Sequence, residues 1–167
     1  MTQAFLSIGS NQNNPLQQIE SAFSKLEVLF GTIEHSSIYV TQPVGHVKQE
    51  PFMNAAILLE TGPDPYELLD VLMSLEKEAG RDRVEEIPNG PRNLDLDIIL
   101  FANLTLVDDE LTVPHPRFRQ RRFVLKPLSE IAAHVVDPVT GKSISQLLEE
   151  CEDNSWVVPM NEKVLAQ

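Results

Sequence analysis

The feature that most narrows the choice of fold is an amphipathic helix that occurs twice with the same punctuation. From Pro15 to Phe30, the residues Leu16, Ile19, Phe23, Leu26 and Phe30 recur every three or four positions, the spacing of one buried stripe. Asn14 stands where a cap belongs, Pro15 suits the first helical position, Gln17 completes a start resembling a capping box, and Gly31 ends the run. The grammar then returns. Asp64, Pro65 and Glu67 open a second helix, Leu68, Leu72, Leu75 and Ala79 line it, and Gly80 stops it. Extended segments surround the pair: residues 4–8 before the first helix, 32–41 and 52–60 between the two, and 93–101 after the second.

That order, β-α-β-β-α-β, predicts an α+β protein with a ferredoxin-like core, a mainly antiparallel sheet carrying both helices on one face. Beyond residue 102 the pattern predicts a short hairpin over 104–113, a helical stretch over 121–133 and a helix over 143–150. Residues 152–167 read as a peripheral tail, and the 167 residues as a single domain. The segments 42–51 and 80–91 show no periodicity and read as loops.

Composition excludes several classes. Apolar and charged contents of 42% and 23% are those of a globular protein, and no apolar run approaches a membrane span. The start, MTQAFLSIGSNQ, lacks the basic and apolar regions of a secretory signal, and one cysteine, Cys151, builds no disulfide framework. A cytoplasmic protein is expected. A net charge of −12 argues against nucleic-acid or anionic-membrane partners. Against that acidic background, all seven arginines fall between positions 81 and 122, a window without lysine. Planar guanidinium groups gathered in this way suit bidentate contact with phosphate oxygens.

Inside that window lies NGPRNLDLDII, residues 89–99. Strand alternation puts Leu94, Leu96, Ile98 and Leu100 on one face, against the helices, and Asn93, Asp95, Asp97, Ile99 and Phe101 on the other. Two aspartates on one face sit roughly 6.5–7 Å apart at their α-carbons, and their mutual repulsion calls for a cation. Hard divalent ions with oxygen ligands, Mg²⁺ foremost, answer it; Mg²⁺ keeps few protein carboxylates and completes its shell with water and phosphates. The pattern points to phosphoryl or pyrophosphoryl transfer from a nucleotide, with neither a P-loop nor a Rossmann fingerprint present. A metal-dependent nuclease also uses paired carboxylates, although the net charge counts against it. A non-catalytic ferredoxin-like module for a small ligand is the other alternative.

GPRNLDLDII, together with LTVPHPRF, RRFVLKPL, SIGSN and FMNAA, closely resembles the 6-hydroxymethyl-7,8-dihydropterin pyrophosphokinases, in order over residues 3–150. The resemblance implies a monomeric α/β enzyme that moves pyrophosphate from ATP to a pterin alcohol, releasing AMP, in folate biosynthesis. It makes Asp95 and Asp97 the ligands of two Mg²⁺ ions, and Arg81 and Arg92 the arginines that close on the triphosphate. Glu76, Arg83, His115 and Arg121 fall at nucleotide-contacting positions. For the pterin, it implies Asn54 as the amide reading the heterocycle's polar edge and Phe52 and Phe123 as the aromatics enclosing the ring. Thr41, with the backbone of Pro43, Val44 and Gly45, lines the same pocket. Phe52 and Asn54 are two apart on a strand and so share a face, which independently suits stacking beside hydrogen bonding. Asn89, Pro116, Glu110 and Met73 depart from the family pattern.

Overall fold

The computed structural model describes residues 1–45, 48–80 and 90–161. Strand β1 (Thr2–Ser10) leads into helix α1 (Pro15–Phe30), then β2 (Glu34–His35), β3 (Tyr39–Thr41), β4 (Phe52–Thr61), helix α2 (Pro65–Glu78) and β5 (Asp95–Phe101). The remainder forms the hairpin β6 (Leu106–Val107) and β7 (Thr112–Val113), a 3₁₀ turn (Phe118–Gln120), helices α3 (Arg122–Ala132) and α4 (Ile144–Glu150), and β8 (Val157–Pro159). The main sheet runs β5-β1-β4-β3-β8, with β2 also beside β4, and its pairings are antiparallel. This is the split βαβ arrangement expected from the element order.

Both predicted helices form, but their starts differ. Asp64 caps α2 as the sequence suggests, its Oδ1 accepting from the Tyr66 N–H at 2.9 Å. Asn14 makes no side-chain cap at α1; it adopts φ 65°, and its Nδ2 donates to Gln17 Oε1 at 3.1 Å instead. Asparagine tolerates this left-handed backbone, which turns β1 sharply into the helix. The expected extended segment 32–41 is split in two. The Ser36 hydroxyl takes the Ala56 N–H at 2.9 Å, an interruption in the regular ladder between β2 and β3.

Each sheet face has its own core. On one, Leu6, Ile8, Ile57, Leu59, Leu96 and Ile98 pack with the apolar stripes of α1 and α2. On the other, Phe5, Ala56, Ile99 and Leu100 pack under Val124, Leu125 and Leu128 of α3, with Ile144 and Leu147 of α4. The C-terminal helices therefore give the sheet a second cover, rather than leaving helices on one face alone. Phe118 is fully buried in this second core, where truncation to alanine would cost about 3–5 kcal/mol.

Alternation along β5 breaks where the sequence places it on a single phase. Phe5 pairs with Leu100 but Leu6 pairs with Ile98, so Ile99 is an extra residue, a β-bulge. As a result Ile99 and Leu100 both enter the α3 core, and Phe101 turns to the α1 and α2 side. Asp95 and Asp97, before the bulge, keep the expected shared face. The segment after residue 152, expected as a peripheral tail, returns to the sheet and supplies β8 at its edge. Among the described residues no helix is long and apolar enough to cross a membrane.

Candidate active site

Helices α3 and α4 cover only part of their sheet face. Where they stop, small and polar side chains replace the apolar ones, and a cleft of about 310 Å³ opens. Its floor is the end of four strands: Ser7 and Gly9 of β1, Thr41 of β3, Phe52 and Asn54 of β4, and Asp95 and Asp97 of β5. Gly9 lies at the centre, opposite Asn54 on one side and Asp95 on the other. No left-handed backbone requires glycine there; a β-carbon would instead lie 2.5 Å from Asn54 Nδ2. Gly9 is thus the space that the Asn54 amide occupies.

That amide is held tightly. Thr41 Oγ1 donates to Asn54 Oδ1 at 2.6 Å, and Asn54 Nδ2 donates to the Ile8 carbonyl at 3.3 Å. An amide nitrogen carries two N–H donors that point in different directions, so the bond to the Ile8 carbonyl uses one of them. Thr41 and Asn54 are both buried; the Ile8 carbonyl, which can only accept, fixes which end of the amide is the donor, and the Thr41 hydroxyl then donates to the other end.

The opposite end of the cleft is ionic. His115 and Arg121 line it beside the two aspartates. Three contacts position this wall. The bulge carbonyl of Ile99 accepts the His115 N–H at 2.9 Å, Phe118 anchors the following turn, and Arg119 forks onto Asp137 with contacts of 2.6 and 2.9 Å. Burial, then the charge of Arg121, pushes the His115 imidazole down to about 4, against a smaller opposing pull from Asp95. The ring is neutral near pH 7. Its Nδ1 accepts the Arg117 N–H at 3.1 Å, which assigns the proton to Nε2 and makes that atom a donor. Burial also lowers Arg121, while Asp97 and Asp95 oppose the shift. Its guanidinium lies 5.6 Å from the Phe123 ring centroid, joining the ionic end to the aromatic wall.

Arg92 enters from a latched loop. Its backbone N–H donates to Asn11 Oδ1 at 2.8 Å, and its carbonyl accepts the Asn11 N–H at 2.9 Å. Asn11 Nδ2 reaches Gln49 Oε1 and the Glu50 carbonyl, each at 2.9 Å. One buried asparagine therefore ties the Arg92 loop to the segment entering β4.

Of the residues singled out from sequence, Thr41, Val44, Phe52, Asn54, Arg92, Asp95, Asp97, His115, Arg121 and Phe123 border this one cleft. Pro43 and Gly45 flank Val44 in the chain. Glu76 lies apart from these. It is 1% exposed and does not border the cleft; its Oε2 accepts the Leu96 N–H at 2.8 Å, serving the strand between the two aspartates. Arg81 and Arg83, with the departing Asn89, lie outside the described residues. Sequence reasoning passed over Gly9, Gln42 and Arg117, all of which border the cleft. SIGSN held the only local signal for Gly9, and Arg117 carried none beyond the arginine window.

The donor set suits Mg²⁺. Two carboxylates share a strand face in a polar cleft, and among the described residues no third histidine, cysteine or acid completes a protein cage with them. An ion held there would take most of its shell from water and phosphate, as Mg²⁺ does.

Residues 5–133 match the profile of the 7,8-dihydro-6-hydroxymethylpterin-pyrophosphokinases. The chain belongs to this family. A Haemophilus influenzae protein named 2-amino-4-hydroxy-6-hydroxymethyldihydropteridine pyrophosphokinase is 36% identical over 159 residues, covering 94% of this chain and 98% of that protein. A Bacillus subtilis pyrophosphokinase of the same name is 38% identical over 86% of each chain. The folic acid synthesis protein fol1 of Pneumocystis carinii is 37% identical over 90% of this chain but only 20% of its own length. Among solved structures, Plasmodium falciparum HPPK-DHPS superposes with a TM-score of 0.71 at 16% identity, over 90% of this chain and 43% of that one. That likeness shows the shared pyrophosphokinase fold, and this chain spans less than half of the two-part protein.

Proposed function

We propose that this chain transfers a pyrophosphoryl group from ATP to the hydroxymethyl group of 6-hydroxymethyl-7,8-dihydropterin, with release of AMP, in folate biosynthesis. The observation that carries the reading is a single cleft bordered by a carboxylate pair, cations, an oriented amide and two aromatic side chains, in a chain of this family. A pterin ring fits between Phe52 and Phe123, with Asn54 donating to its polar edge. The triphosphate lies toward Asp95, Asp97, Arg92 and Arg121; Arg81 and Arg83, outside the described residues, are the further cations that the family resemblance implies for it.

Asp95 and Asp97 would hold two Mg²⁺ ions, which supply charge neutralisation on the phosphates and lower the pKa of a bound hydroxyl. The chain's own part is positioning. The pterin hydroxymethyl oxygen attacks the β-phosphorus in line, the bond from that phosphorus to the α-phosphate bridging oxygen breaks, AMP leaves, and the hydroxyl proton passes to solvent. His115, neutral with Nε2–H as donor, offers a hydrogen bond to the nucleotide without adding charge. Arg92 and Arg121 stabilise charge as it shifts toward the departing α-phosphate. With the carboxylates engaged in holding the ions, no side chain among the described residues of the cleft would act as a strong base. We read the protein as a cytoplasmic monomer acting on small molecules, with neither nucleic acid nor membrane as a partner, in keeping with its −12 charge.

The test is incubation with MgATP and the reduced pterin alcohol. AMP and a diphosphorylated pterin are expected in equal amounts. ADP, or no nucleotide product, refutes the reading.

A further inference from the structure

Two walls of the cleft's pterin end are held by a segment that never touches the cleft. It lies beyond residue 133, where the match to the family profile ends. Its strand β8 pairs with β3, Val157 opposite Thr41, Val158 opposite Val40 and Pro159 opposite Tyr39. The ladder continues at both ends. The Met160 N–H donates to the Ile38 carbonyl at 2.9 Å, and the Gln42 N–H to the Trp156 carbonyl at 3.0 Å. Gln42 is gripped a second time, because its side-chain Oε1 accepts the Trp156 N–H at 3.1 Å. Thr41, next in the chain, orients the Asn54 amide, and Val44, two residues on, borders the same cleft.

The other wall is held by Asp153. Helix α3 has no side-chain cap from its own N-cap residue, Arg121. Asp153 Oδ2 takes that place from a distance, accepting the Arg122 N–H at 2.9 Å. Its Oδ1 accepts from both the N–H and the hydroxyl of Ser155, at 3.0 and 2.6 Å. The first turn of α3, so fixed, carries Phe123.

We infer that residues Asp153–Met160 act as a brace that sets the spacing between the Thr41–Gln42 edge and the Phe123 wall, and so determines affinity for the pterin alcohol. The inference rests on the proposed function for the identity of that ligand. Asp153 and Val158 are positioning residues: they act on the ligand through Phe123, Gln42 and, by Thr41, Asn54. The nucleotide end has supports that the β8 ladder does not touch, namely the Ile99 carbonyl, Asn11 and the Arg119–Asp137 pair, whereas Asp153 caps the turn that Arg121 opens. Disturbing the β8 ladder should therefore separate the two substrates.

Val158 lies midway between two bonded pairs of an antiparallel ladder, so its own N–H belongs to the ladder. Val158→Pro removes that donor on an edge strand, and Val158→Ala keeps it. Asp153→Ala removes the cap, and Asp153→Asn keeps an acceptor oxygen. In the full-length chain we expect Val158→Pro to weaken pterin-alcohol binding about fivefold or more, the effect of losing about one hydrogen bond, with the affinity for a non-hydrolysable ATP analogue within about twofold. Asp153→Ala should raise the pterin KM similarly, and Asp153→Asn and Val158→Ala should restore it. Should Val158→Pro fail to fold, the pterin KM of Asp153→Ala and its recovery in Asp153→Asn carry the test. Unchanged pterin affinity, or an equal loss for both substrates, overturns the brace. Wild-type protein assayed in parallel separates the two questions: no AMP there refutes the activity, whereas normal wild-type turnover with unaltered pterin binding in the variants refutes only the brace.

Discussion

Gly9→Ala tests the construction of the cleft floor most directly. The added β-carbon would lie 2.5 Å from Asn54 Nδ2, where ordinary contact begins near 3.4 Å, so the amide has to retreat by 3.4 − 2.5 = 0.9 Å. The Thr41–Asn54 bond of 2.6 Å, lengthened by that amount, reaches the limit at which it ceases to be a hydrogen bond. Backbone strain plays no part, because the φ of Gly9 is open to any residue. Losing one oriented amide contact costs about 1–2 kcal/mol, or a 5- to 30-fold rise in the pterin dissociation constant. Titration calorimetry with the pterin alcohol and an ATP analogue would measure it. The same substitution in an Asn54→Ala background separates the cause: with the amide gone, Gly9→Ala should cost under about 0.5 kcal/mol. Equal cost in both backgrounds would refute the reasoning, since the new methyl would then be obstructing the ligand itself.

Asp97→Ala should lower turnover on the order of a thousandfold or more with a thermal midpoint close to wild type, and chelation of divalent ions should mimic it until Mg²⁺ is restored. Asp137→Ala leaves the Arg119 guanidinium without its buried partner, so calorimetric stability should fall by about 3–5 kcal/mol, lowering Tm by roughly 10 °C. The His115 imidazole, held at about 4, stays neutral in the folded chain while the unfolded chain takes up a proton near 6.5. Stability should therefore decline as pH falls from 6.5 toward 4, by roughly 3 kcal/mol at most, and denaturant titrations of His115→Gln should lose that slope. Glu76→Ala removes the acceptor of the Leu96 N–H, so a stability loss of about 1–3 kcal/mol is expected before any change in nucleotide contact.

Periodicity made the two helices, the four main strands and their order legible, because each is a local pattern that only has to match its own backbone repeat. The same alternation placed Asp95 and Asp97 on one face, and Phe52 with Asn54 on another strand. The bulge at Ile99 left no trace in it. Whether an extra residue is inserted depends on how β5 registers against β1, and that register turned Phe101 away from the aspartates' face. Glu76 shows a different limit. Its place in the chain matches a nucleotide-contacting position, and nothing in the sequence signals that its carboxylate also accepts the N–H between the two aspartates of β5.

What the chain order alone settles is therefore the set of elements and the residue types that can meet, acidic, cationic, aromatic and amide. Their meeting is decided in three dimensions. Gly9 becomes a site residue only because β4 and β5 pair on either side of it. Likewise, the last strand matters only because β3 leaves an edge for it to cover. Such contacts join residues far apart in the chain, and no local repeat encodes them: they arise when burying both sheet faces repays the entropy of closing long loops.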